Sequence, residues 1–106
     1  MGFYETILAD TGYSPKTTFW QDFTIADAFG ASAIKDTYKR AFSEWKNNRD
    51  YVTELVLILN WKIWQHHNNN NDGLAYVYNE LWEKTHDWCC NNLKGDDLSY
   101  YLHTVD

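Results

Sequence analysis

A chain of 106 residues fits one domain with a modest core. Its formal charge of −6 disfavours non-specific nucleic-acid binding, because an acidic surface does not displace counterions from phosphates. Two adjacent cysteines, Cys89 and Cys90, exclude a disulfide scaffold, and the longest apolar run, Leu55 to Leu59, falls far short of a bilayer span.

Met1 to Thr18 has no sustained period. Phe3, Tyr4, Ile7 and Leu8 have helical spacing, but Thr11-Gly12-Tyr13-Ser14-Pro15 breaks any helix there. This reads as an N-terminal extension, residues 1–17, whose aromatics pack loosely or fray. A single helical domain, residues 18–106, follows. Thr24 reads as the N-cap of a short helical turn, Ile25 to Phe29, with Asp27 at its third position and Gly30 ending it.

The next helix is expected over about Ser32 to Asn47. Ile34, Thr37, Tyr38, Ala41, Phe42 and Trp45 share a stripe, and Lys35, Asp36, Lys39, Arg40, Ser43 and Lys46 cover the other side. Asn47-Asn48 stops it. A third helix, about Asp50 to His67 with Asp50 as its cap, carries two apolar stripes. One is Val52, Leu55, Val56, Leu59 and Ile63; the other is Leu57, Trp61 and Trp64. A helix apolar on two sides sits in the middle of a bundle. A strand is rejected there because Asn60, Lys62 and Gln65 break the alternation while the 3.6 period continues.

Asn68 to Asn71 with Asp72 and Gly73 form a polar loop, and Asp72 or Asn71 caps a fourth helix, about Leu74 to Leu93. Leu74, Val77, Tyr78, Leu81, Trp82, Thr85, Trp88 and Cys89 take one face, and Asn79, Glu80, Glu83, Lys84 and Asp87 the other. Gly95 suits a helix C-terminus, and Asp97 to His103 reads as one or two further turns. The fold class is therefore all-α: a compact bundle of three main helices with short capping helices at both ends.

Few residues are grouped as chemistry requires. His86 and Cys90 are spaced i,i+4, and His66 and His67 end the preceding helix, but a zinc site needs three or four ligands in matched geometry. No Gly-rich phosphate loop is present, and no activated nucleophile stands out. No cofactor or metal is implied, and the expected class is non-enzymatic. Lys62, inside the most apolar helix, is expected to pair with a buried carboxylate such as Asp22 or Asp27. The acidic scatter of Asp22, Asp27, Glu44, Glu54, Glu80, Glu83, Asp87, Asp96 and Asp97 reads either as a solvated exterior or as a patch for a basic partner. On the second reading, Glu80, Glu83, Asp87, Asp96 and Asp97 are the candidate contacts. Nineteen Phe, Trp and Tyr residues serve a core, with some left to face a partner.

The segments Thr18-Phe19-Trp20-Gln21-Asp22-Phe23-Thr24-Ile25-Ala26-Asp27-Ala28-Phe29-Gly30, Asp36-Thr37-Tyr38-Lys39-Arg40-Ala41-Phe42, Asn60-Trp61-Lys62-Ile63-Trp64, Tyr78-Asn79-Glu80-Leu81-Trp82 and Asp97-Leu98-Ser99-Tyr100-Tyr101 form an ordered set. Together, over about Thr17 to Asp106, they resemble an uncharacterised family of small helical proteins carried by bacterial phages and mobile elements. The resemblance implies a compact helical protein and supplies no catalytic residues. Its setting suggests, by analogy, an inhibitor of a host defence nuclease of the anti-CRISPR kind. The alternative is a self-associating structural module. The expected protein has a protein partner, binds no nucleic acid directly, is a monomer or homodimer, and is cytoplasmic, with no signal peptide or membrane segment read from its sequence.

Overall fold

The apolar positions of the middle segment recur every three or four residues, and the segment is helical throughout. In the computed structural model, which describes residues 3–105, the chain forms six α-helices, and the described residues contain no strand. These are α1 (Phe3–Thr11), α2 (Phe19–Asp27), α3 (Ala31–Trp45), α4 (Arg49–Asn68), α5 (Asp72–Asn92) and α6 (Gly95–Val105).

Helix α4 lies at the centre and packs against α2, α3, α5 and α6. Val52, Leu55, Val56, Ile58, Leu59 and Trp61 are all buried along it; of the second expected stripe only Trp61 is buried, Leu57 being half-buried and Trp64 exposed. The larger core cluster joins Leu55, Ile58, Leu59 and Trp61 to Phe19, Trp20 and Phe23 of α2, Ile34 and Tyr38 of α3, and Tyr78 and Leu81 of α5. A smaller cluster gathers Val52, Val56, Cys89, Leu93 and Tyr101, with Phe42 and Trp82 packed against both.

Gly30, at φ 100°, adopts a backbone conformation that L side chains rarely take, and it separates α2 from α3. Helix α3 ends at Trp45, just before the expected Asn47-Asn48 stop, and Asn48 rather than the expected Asp50 caps α4: its side chain accepts from the amides of Asp50 and Tyr51. Asn71, one of the two caps expected for the next helix, accepts from the Leu74 amide. Asn70, between them, turns the chain at φ 59°, a conformation asparagine tolerates better than most residues. The asparagine run is thus a working helix-to-helix turn.

Helix α2 begins at Phe19, a full turn before the expected Thr24 cap. Phe19, Trp20, Phe23 and Ala26 are all buried. Their spacing makes one helical stripe, and its burial outweighs the local preference of a threonine for a cap. The Thr24 hydroxyl is used elsewhere, as acceptor for Lys62.

The N-terminal segment is not loose. Tyr4 is buried, stacks on Trp20 with centroids 4.6 Å apart, and approaches Trp61 at 6.0 Å. Glu54, expected on the acidic exterior, is fully buried on α4. Its carboxylate accepts from the Tyr13 hydroxyl at 3.0 Å, the Lys16 amide at 2.6 Å, the Thr17 amide at 3.0 Å and the Thr17 hydroxyl. A buried carboxylate needs such donors, and all four come from residues 13–17. Burial, with the same Glu54 contact, pushes the Tyr13 hydroxyl well above its ordinary pKa.

Glu54→Ala is therefore expected to cost about 2–3 kcal/mol by stranding these donors. It should also open residues 12–17 to protease. Urea denaturation with limited proteolysis checks this; an unchanged midpoint with an intact arm would contradict the account.

Candidate functional site

Helix α2 has two faces with different chemistry. The inner face carries Thr24 and Asp27 to Lys62, whose side chain is fully buried. Lys62 Nζ donates to Asp27 Oδ2 at 2.9 Å, Thr24 Oγ1 at 2.9 Å and Gln65 Oε1 at 3.1 Å, so its three protons have three acceptors. It also lies 4.2 Å from the Trp20 ring centroid. Asp27 is one of the two carboxylates expected for this lysine. Asp22, the other, instead accepts from the Thr18 hydroxyl at 3.1 Å.

The Asp27 carboxylate has further partners. Tyr78 donates to Oδ1 at 2.5 Å, and His66 Nε2 lies 3.0 Å from Oδ2 with its ring stacked on Tyr78. Burial works to raise the Asp27 pKa. Hydrogen bonds from His66, Tyr78 and Lys62, with the Lys62 charge, outweigh it and hold the carboxyl below its ordinary value. Burial lowers Lys62 against the opposing pull of Asp27, and burial together with Asp27 raises Tyr78. Asp, Lys, His and Tyr could in principle move protons. Here they are engaged with one another, and their work is to fix α2 against α4 and α5.

The outer face of α2 presents Asp22 and Ile25, and Phe29 follows in the turn after the helix, at spacings of three and four. They line a groove of about 620 Å³ with Ala33, Arg40 and Trp45 among the residues of its opposite wall. Ile25 is 64%, Phe29 78% and Trp45 36% exposed. Trp45 is held edge-on against Tyr51 at 4.4 Å. Lys16, Arg40, Asp22 and Glu44 give the groove both signs of charge.

The sequence-derived candidates occupy other surfaces. Glu80, Glu83 and Asp87 are exposed along α5, with Glu83 accepting from Asn79 at 3.3 Å. Tyr76, 66% exposed, precedes them on the same line and is bonded to Glu80. Asp96 and Asp97 lie in the first turn of α6, and Asp97 pairs with Arg49 at 3.1 Å, an exposed contact of small energetic weight. Asp27 and Glu54 do not belong to an acidic exterior, since both serve internal donors. His86 and Cys90 do approach, at 3.7 Å. His66 does not join them, being bonded to Asp27. Among the described residues, no three His, Cys, Asp or Glu side chains converge as a metal cage.

Sequence reasoning missed the groove. Ile25 and Phe29 show the same i,i+4 spacing as core residues, and only the commitment of Thr24 and Asp27 to Lys62 decides that they face outward. No family model, curated protein or solved structure matches the chain.

The Asp27 contacts set a pH dependence. The folded pKa lies below the ordinary 3.8, so the stabilisation is complete above that value and is lost as the pH falls through the folded one. Asp27→Asn should cost about 3 kcal/mol at neutral pH, because it leaves Lys62 buried without its counter-charge. It should also flatten the acid limb of stability against pH. Denaturation midpoints from pH 7 to pH 2 measure both effects; an equally steep acid limb in the variant would contradict the assignment.

Proposed function

We propose that the chain is a non-enzymatic binding protein that acts by occupying a partner protein's surface, with the groove between α2 and α3 as its docking surface. The observation that carries this reading is the exposure of Ile25, Phe29 and Trp45 around one groove. Large apolar side chains cost free energy in water and release it when a partner covers them. The groove walls are two helices with ridges at spacings of three and four, a form suited to an amphipathic helix with two or three apolar anchors. The net charge of −6 would steer a basic partner toward the protein. A nucleic-acid-handling enzyme is such a partner, and a host defence nuclease is the one that the resemblance to a phage-carried family would favour.

On this reading, Glu80, Glu83, Asp87, Asp96 and Asp97 contribute attraction during approach, and the groove contributes residence time. The three long helices act as the bundle, and the shorter ones cap its ends. Cytoplasmic placement fits the two free thiols. No helix among the described residues is long and apolar enough to cross a membrane.

Self-association is the second reading, favoured by the same exposed side chains. Phe29→Ala combined with Ile25→Ser separates binding from folding. Exposed sites tolerate change within about 0.5 kcal/mol each, so the melting temperature should barely move. Co-purification with basic defence nucleases should be lost, and their interference with plasmids restored. If no such nuclease binds the wild-type protein at micromolar concentration and interference is unaffected, the nuclease reading fails. A concentration-dependent dimer abolished by the same variant would replace it with self-association.

A further inference from the structure

A second constellation lies between α5 and α6, away from the groove. His86 sits between Cys90 and Tyr101: its Nε2 is 3.7 Å from the Cys90 sulfur and its Nδ1 is 2.6 Å from the Tyr101 hydroxyl. The ring stacks on Trp82, with centroids 5.0 Å apart and planes within 5°. Tyr101 is fully buried and hydrogen-bonds the thiol of Cys89. One thiol is on the surface and one is buried, and a histidine and a tyrosine connect them.

We propose that Cys90 is a thiol-modification site, with His86 as its base and low-molecular-weight disulfides as its reactants. In the tautomer that this role requires, His86 Nδ1–H donates to the Tyr101 oxygen at 2.6 Å. That tautomer leaves the Nε2 lone pair facing Cys90. The Trp82 stack holds the ring in this orientation.

The reaction is thiol–disulfide exchange. His86 Nε2 takes the Cys90 proton, and the thiolate attacks one sulfur of the incoming disulfide. A mixed disulfide forms as the original S–S bond breaks. The departing thiolate takes the proton back from the imidazolium. Cys90 is oxidised to the mixed disulfide, and half of the reagent is reduced to a free thiol.

Cys89 does not resolve the adduct. It is fully buried, burial pushes its thiol up to about 12, and a disulfide between neighbouring residues is strained. The adduct therefore persists as a reversible cap. It would continue the outward line of Glu80, Glu83 and Asp87 on α5, where Cys90 follows at helical spacing and is likewise exposed.

The test treats the full chain with glutathione disulfide and follows adducts by mass spectrometry with peptide mapping. A single adduct is expected, at Cys90, absent in Cys90→Ser. The folded protein should react about tenfold faster than the same chain in urea at the same neutral pH, because the unfolded thiol has no base beside it. His86→Gln should remove that advantage at neutral pH. The folded variant and folded wild type should converge in buffer alkaline enough to ionise a thiol unaided, a convergence that a merely structural histidine would not produce. Reaction at Cys89, a folded rate no faster than the unfolded rate, or a His86→Gln rate equal to wild type at neutral pH would each overturn the proposal. The urea comparison uses wild-type chain only and holds even if the variant folds poorly.

Discussion

Lys62 has no exposure to water, and the position of α2 follows from that constraint. An ammonium left unpaired in a protein interior costs several kcal/mol, so its three protons must meet acceptors. Two of those acceptors, Thr24 and Asp27, lie three residues apart on α2 and therefore point the same way. Sliding α2 by a turn, or rotating it, would remove both at once. With the inner face committed in this way, Ile25 and Phe29 are left on the side toward α3 and solvent. The shape of the groove is thus inherited from a charge pair on the other side of the same helix.

The same logic operates in reverse two turns earlier on α4. Glu54 is a buried anion, and its donors all come from the chain between α1 and α2. Eight residues separate Glu54 from Lys62, about 12 Å along the axis. One helix therefore carries a buried anion and a buried cation, each answered by a different short element. The short N-terminal helices add buried rings to the core, and polar groups with strict partner requirements fix where they sit. Asp27 and Glu54 are lost to the exterior, but Lys62 is lost with them, so the outer surface remains distinctly acidic.

The long helices were legible because their stripes repeat over many residues, and period is a property a sequence carries locally. A lysine within the most apolar stretch also announced its need for a carboxylate, and Asp27 was one of the two candidates within reach. The start of α2 was illegible for a specific reason: Thr24 obeys the rule for a cap, and nothing nearby shows that its hydroxyl belongs to a residue 38 positions later. The arm was misread in the same way. Tyr4 looks unsupported until Trp20 and Trp61 are brought beside it, and the second of those contacts spans most of the chain. Glu54 reads as a surface acid because two of its four donors are backbone amides, which carry no mark in a sequence, and the other two are hydroxyls 37 and 41 positions away.

Exposed apolar side chains are ordinary when scattered, so the weight of the groove rests on where they fall. Among the described residues, the large hydrophobics standing exposed are Ile25, Phe29, Trp45, Trp64, Tyr76 and Leu102. The last three are distributed over α4, α5 and α6. The first three line one concavity together, formed by two helices that contact each other and the turn that joins them, and these could have closed over it. They have not closed because Asp27 and Thr24 hold α2 by its opposite face, and α2 cannot roll to bury Ile25 without uncovering the Lys62 ammonium. Leaving Ile25 in water costs less than stranding a buried charge. The polar network therefore does more than stabilise the bundle, since it also keeps an apolar surface open that hydrophobic collapse alone would have shut.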